Sequence, residues 1–337
     1  MRYQTALERI IGAIEETLSR AFPETHRLYI ANPHAGTRRR HRRSEMVARA
    51  LPAFHGGGNN RLFQVVWSES VAETIMAIES ASTDDPGGVI VVSLGGDGTH
   101  NHTLRTAMRH PSVAVLRVPL GSGNDANEFE TLPEFLAALN RPLRRRRIPA
   151  IEVARLGTPE APVVAAFNIA SLGIDAFITA MHDRWRAILP GDTYRLLVDA
   201  AVLRYERLVD LSVSGLTFRD GDGSTIDAGE AVRILIAMGV SGGRTYGDHM
   251  RVLPGEENVC VLGTANLRDK LRMKRLFYEG RHVNEPLTRM YRAEELTIRY
   301  DRSLPLQLDG EAEWVRPEEF PLRFRILHDA VEVIKPE

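Results

Sequence analysis

Cysteine is nearly absent from this 337-residue chain: Cys260 stands alone, so no internal disulfide can form. That scarcity suits a reducing compartment, and the cytoplasm is the expected location. Lysine is almost as rare. Lys270, Lys274 and Lys335 are the full set, and none follows a glycine-rich loop. The chain therefore has no GxxxxGK[ST] loop, which excludes a P-loop NTPase. No apolar run approaches the length of a bilayer span, and no signal-peptide core opens the sequence. A transmembrane segment is not expected. The net charge is −1, so no global field points to nucleic acid. Homo-oligomerisation is left open.

What is present is the composition of a soluble globular protein long enough for two domains. Residues 5–22 read as an amphipathic helix, with Leu7, Ile10, Ile11, Ile14, Leu18 and Phe22 at helical spacing. Thr5 and Glu8 form a candidate capping box. Its mixed charges favour docking on the body of the protein over lying on a membrane. Strands are predicted at 27–31, 62–67, 89–94 and 113–118, and helices at 44–51, 70–80 and 100–109. That alternation implies an α/β fold with a doubly wound parallel sheet. From about 148 short β-like runs dominate, at 148–155, 162–169, 208–214, 231–238, 258–264, 296–300 and 305–308. They suggest a β-rich, antiparallel, sandwich-like second domain, interrupted by a helical stretch near 178–206. The expected organisation is a helical extension at 1–22, a nucleotide-type domain at 23–147 plus 318–337, and a second domain at 148–317. The arginine run 144–147 marks the crossover.

The buried-type run Val89–Val92 feeds into Gly95-Gly96-Asp97-Gly98-Thr99. Three glycines within four residues expose backbone N–H groups, as a phosphate-cradling turn requires. A carboxylate inside such a turn points to a metal ion or a ribose hydroxyl beside the phosphates. Two other turns end predicted strands: Asn32-Pro33-His34-Ala35-Gly36, and Pro119-Leu120-Gly121-Ser122-Gly123-Asn124-Asp125. In doubly wound sheets ligands bind beyond the carboxyl ends of the strands, so the three turns should converge.

The pair GGDGT and PLGSGND resembles the signature of the diacylglycerol kinase catalytic-domain family, which includes sphingosine and ceramide kinases and bacterial lipid kinases. Other segments match in order. They are Asn32-Pro33 with Gly36, Phe167-Asn168 with Ser171-Leu172-Gly173-Ile174-Asp175, the SGGRTYG stretch at 241–247, and Leu308-Asp309-Gly310-Glu311. The resemblance covers residues 27–335. It implies transfer of the γ-phosphate of Mg-ATP to a lipid hydroxyl, with ATP and Mg²⁺ as cofactors and a lipid at a membrane surface as partner. Under it, Gly95, Gly96, Gly98, Thr99 and Asn101 serve the phosphates and Asp97 faces Mg²⁺. Asn32, Arg38, Ser68, Gly121, Ser122, Gly123, Asn124 and Asp125 complete the nucleotide site. Asp309, two residues from Glu311, is the expected general base. A competing reading makes Asp309-Gly310 a hairpin turn, and the two are compatible. Asp175 is either a helix cap or a site residue.

Three departures stand out. His102 replaces a customary glutamate, Ala126-Asn127 follow GND, and Pro254–Asn258 lack the DG pair that holds a structural Mg²⁺ in bacterial relatives, leaving Glu257 as the candidate ligand. Alternatives to a lipid kinase are a kinase of a small soluble hydroxyl compound, akin to NAD kinases, and a nucleotide-binding homologue without turnover. A third is an NADP-binding oxidoreductase, suggested by a GxGxxA match at 121–126 with Arg144 downstream.

Overall fold

The computed structural model describes residues 2–32, 63–85, 87–120, 129, 131–185, 214–246, 250–264 and 266–337. The chain divides into two compact units, 1–148 with 328–337, and 149–327. The return to the first unit thus falls at 328 and not at the expected 318.

The first unit opens with helix α1 (Arg2–Ala21). Because the helix begins at Arg2, Thr5 lies inside it and does not cap it. Ile11, Ile14 and Leu18 are fully buried in the core of this unit. A polar anchor backs them: Glu15 takes hydrogen bonds from Arg27 Nε (3.1 Å) and Tyr29 Oη (2.5 Å). Burial and the Glu15 charge hold the Tyr29 phenol well above its usual pKa. The apolar stripe found in the sequence is therefore a docking face.

Strands β1 (His26–Ala31), β2 (Phe63–Trp67), β3 (Val89–Gly95) and β4 (Val113–Pro119) alternate with helices α2 (Val71–Asp84) and α3 (Asp97–Ala107). Every β1–β4 pairing is parallel, in the order β2-β1-β3-β4. β3 and β4 are buried along their whole length, which explains their unbroken aliphatic runs. Helix α4 (Leu132–Ala138) follows, started by a Thr131–Glu134 capping box. Strand β5 (Leu143–Arg155) then leaves the unit. The arginine run lies in β5, where Arg144 pairs with Glu337 and Arg145 with Glu332.

The second unit holds β6 (Val164–Ala166), β7 (Ile169–Gly173), helix α5 (Ile174–Trp185), β8 (Ser214–Arg219), β9 (Thr225–Ala231) and β10 (Arg233–Gly239). It continues with β11 (Arg244–Tyr246), β12 (Met250–Leu253), β13 (Val259–Gly263), helix α6 (Leu267–Glu279), β14 (Thr288–Tyr291), β15 (Glu295–Arg299), β16 (Leu304–Leu308) and β17 (Glu311–Val315). The last strand, β18 (Leu322–Pro336), returns to the first unit, where Glu332 and Val333 pair in parallel with β4. One antiparallel sheet runs β14-β13-β10-β7-β16-β17; another joins β15 to β8 and to the first half of β18. Leu216, Phe218, Leu296 and Phe324 of one meet Leu172, Ile236, Met238 and Leu306 of the other in a single core. This is the expected antiparallel sandwich, so the α/β-plus-β-rich architecture holds. Of the expected 178–206 helix, α5 accounts for the start; residues 186–206 lie outside the described set, as does the expected helix at 44–51.

Candidate active site

In the first unit the strand order reverses between β1 and β3, and the carboxyl ends of these neighbours carry Asn32 and the glycine turn. Ligands of open α/β sheets bind at such a switch point. A direct bond crosses it: Asn32 Nδ2 donates to Thr99 Oγ1 at 3.1 Å. Leu120 N donates to Gly95 O (2.9 Å), tying the end of β4 to the same turn. Gly96 is the N-cap of α3 and offers no side-chain cap. The first-turn amides of this 11-residue helix therefore take no cap from Gly96, at the positive end of its dipole. Asp97 is the first helical residue, with Thr99 and Asn101 buried behind it.

Gly95 has a steric reason to be glycine. A Cβ there would lie 2.5 Å from Thr99 Cβ and 2.6 Å from its Oγ1. The glycine turn and the Thr99 hydroxyl thus fit a phosphate-bearing ligand, and Asp97 offers the oxygen donor that Mg²⁺ prefers. Ser68, expected to face phosphate, has another task. Its hydroxyl bonds Ser70 O (2.7 Å) and Thr74 Oγ1 (2.5 Å), closing the turn into α2. Arg38, Gly121, Ser122, Gly123, Asn124 and Asp125 lie outside the described residues.

Beneath the glycine turn sits His100, fully buried, its Nδ1 2.9 Å from Ser93 Oγ. Burial first, and the nearby Arg117 charge second, lower its pKa to about 3. An unfolded histidine takes up its proton near pH 6.5, whereas folded His100 stays neutral until about pH 3. Below pH 6.5 the unfolded chain therefore binds more protons, and stability falls as the pH drops through that window. Between about pH 7.5 and about pH 5 this group should remove about 2 kcal/mol. His100→Gln should flatten that part of the profile in urea titrations. An unaltered profile would show that other groups set it.

In the second unit, Asp309 and Gly310 form the two-residue loop between β16 and β17, where Leu308 pairs with Glu311. Their φ angles are +53° and +89°, the left-handed pair of a type I′ hairpin. The turn reading of Asp-Gly is correct. The Asp309 carboxylate does more than turn the chain. It accepts three backbone N–H bonds, from Phe167 (2.5 Å), Asn168 (2.9 Å) and Ile169 (2.9 Å). The FN segment and the DGE segment are thus one structure. Arg244 is near enough for the Asp309 charge to oppose the lowering of its pKa by burial.

A polar chain runs on from this turn. With the Gln307 amide oriented to satisfy its neighbours, its oxygen accepts from Asp309 N (3.2 Å) and Gly310 N. Its nitrogen donates to Ser171 Oγ at 3.0 Å. Ser171 donates in turn to Asp175 Oδ2. Asp175 lies in the first turn of α5 and also borders a cavity of about 90 Å³. Ile169, Ile178, Leu235, Met250, Met273 and Phe277 give that cavity an apolar wall. Asp175 thus links the Gln307–Ser171 chain to the cavity. Gln307 and Arg244 had not been singled out in the sequence. Alternation along β16 sets Gln307 on the face opposite Leu304, Leu306 and Leu308, so the sequence carried no signal that it is buried. Glu257 folds back over Gly255 in an exposed loop, and among the described residues no three His, Cys, Asp or Glu side chains are grouped to hold a metal.

Comparisons with known proteins agree with this architecture. Residues 26–156 match the diacylglycerol kinase catalytic domain. Residues 168–335 match the YegS C-terminal NAD kinase beta sandwich-like domain. The chain belongs to the diacylglycerol kinase catalytic-domain family, a family of phosphotransferases. Two solved structures from Bacillus anthracis str. Sterne share its fold. One, a diacylglycerol kinase, is 13% identical, with 92% of this chain and 96% of that chain covered and a TM-score of 0.54. The other is 14% identical over 92% and 97%, with a TM-score of 0.58. Yeast NADH kinase is 12% identical over 93% and 84%, with a TM-score of 0.48. No curated protein matches. Among the described residues no helix is long and apolar enough to cross a membrane.

Proposed function

We propose that this protein phosphorylates a hydroxyl of diacylglycerol or a related lipid, using Mg-ATP. The observation that carries the lipid reading is the apolar cavity joined to Asp309 through Asp175, Ser171 and Gln307. A wholly polar acceptor would find few partners on that wall, whereas an acyl chain buries itself there. In this reading Asn32, Thr99 and the first-turn amides of α3 bind the phosphates, and Asp97 holds Mg²⁺. The ion neutralises charge on the phosphates when bound. Asp309 accepts the proton of the attacking hydroxyl, and its three amide partners fix its orientation. Glu311 flanks it across the hairpin. Asp175 orients the headgroup end of the lipid.

The test is unbiased. The protein is incubated with Mg-[γ-³²P]ATP and a total lipid extract, and products are identified by mass. A phosphorylated lipid is expected. Label confined to a water-soluble acceptor would overturn the lipid reading, and ATP binding without transfer to any acceptor would overturn the kinase.

A further inference from the structure

Helix α6 (Leu267–Glu279) is the less apolar of the two α-helices described in the second unit, yet its ends are firmly defined. Asn266 caps it through Asp269 N (3.0 Å), and Gly280 ends it at φ +69°. Met273 and Phe277 are buried, and with Lys270 and Lys274 they form one wall of the apolar cavity. The solvent-exposed side is different. Leu267 and Leu271, one turn apart, are 49% and 51% exposed, among the few large apolar side chains so exposed in the described residues. Arg268, Arg272 and Arg275 flank them.

Five basic residues stand against two acidic ones on this helix, and two of the chain's three lysines are among them. Arg272 pairs with Glu285, and Arg275 with Glu279. Both arginines are exposed, and solvated pairs of this kind exchange readily for other anions. Exposed leucines among arginines, on a helix of low overall hydrophobicity, are the pattern of a helix that lies in a membrane interface. The long arginine stems can lie along the acyl boundary while their heads meet phosphates.

We infer that the outer face of α6 docks on an anionic phospholipid bilayer, so that the helix walling the cavity is also the one that touches the membrane. The inference rests on the lipid-kinase reading above and names the surface by which that site reaches its substrate. Charge complementarity selects the occupant: a bilayer offers both an apolar layer for the leucines and phosphates for the arginines.

Vesicle co-sedimentation of the full chain, without ATP, tests it. The protein should bind vesicles of phosphatidylcholine mixed with phosphatidylglycerol, less so at high salt, and bind pure phosphatidylcholine weakly. Leu267→Gln/Leu271→Gln should weaken that binding by roughly tenfold or more, with unchanged circular dichroism. The same variant should phosphorylate a dispersed short-chain diacylglycerol as the wild type does. Equal vesicle binding by variant and wild type would overturn the docking face. So would failure of the wild type to bind anionic vesicles, or a self-associating wild type that ignores vesicles and becomes monomeric in the variant. Vesicle binding with no lipid phosphorylated under any condition would leave the docking face standing and remove the kinase reading.

Discussion

Asp309→Asn should cut turnover by roughly 10²–10⁴-fold while leaving ATP affinity near that of the wild type. It should also lower stability by about 2 kcal/mol. The two effects come from different atoms of the same contact. Asparagine tolerates the left-handed backbone at this position, so the hairpin itself can form. One carboxylate oxygen, however, becomes an NH₂. If the amide oxygen keeps the Asn168 and Ile169 amides, the NH₂ faces the Phe167 N–H, and a buried donor loses its acceptor. Turnover must therefore be measured beside a urea midpoint. Full activity would remove Asp309 as base. A loss that disappears after correction for the folded fraction would leave it as the residue that ties the FN segment to the DGE hairpin.

Gly95→Ala is expected to weaken ATP binding by roughly 100-fold and to destabilise the protein by about 1–3 kcal/mol. The new methyl would sit 2.5 Å from Thr99 Cβ, which is fixed to the helix backbone and cannot swing aside. Relief requires the first turn of α3 to shift. That shift carries away the Asn32–Thr99 bond and re-aims the amides at the switch point. Isothermal titration with Mg-ATP, together with a denaturant curve, reads both effects. Wild-type affinity in this variant would mean that the turn does not hold the nucleotide.

Much of the first unit was legible in the sequence because β1, β3 and β4 are buried on both faces. Runs such as Val89–Val92 have no alternative placement. The glycine turn was legible because backbone geometry needs glycine there. Less was legible where burial is one-sided or sparse. Helix α6 was not expected, since Met273 and Phe277 are its sole fully buried positions and charged residues separate them. Strand β9 escaped because nearly every residue on it faces solvent. Helix α4 did carry a readable signal, Thr131 with Glu134 around Pro133, which was passed over. At Thr5 the same pattern pointed to a start that α1 does not use. The Asp309 clamp was unreadable for another reason: its partners are backbone amides some 140 residues away, and amides leave no trace in residue type.

The first unit is discontinuous, built from 1–148 and closed by 328–337. During synthesis its β4 strand emerges early, with one edge paired to β3 and the other awaiting β18. All of the sandwich is translated in between. For that interval β4, apolar but for Arg117, presents open N–H and C=O groups, the kind of edge that invites pairing with another chain. The order in which the ribosome delivers the two units thus makes the final strand a lock whose late arrival sets the window for misassembly.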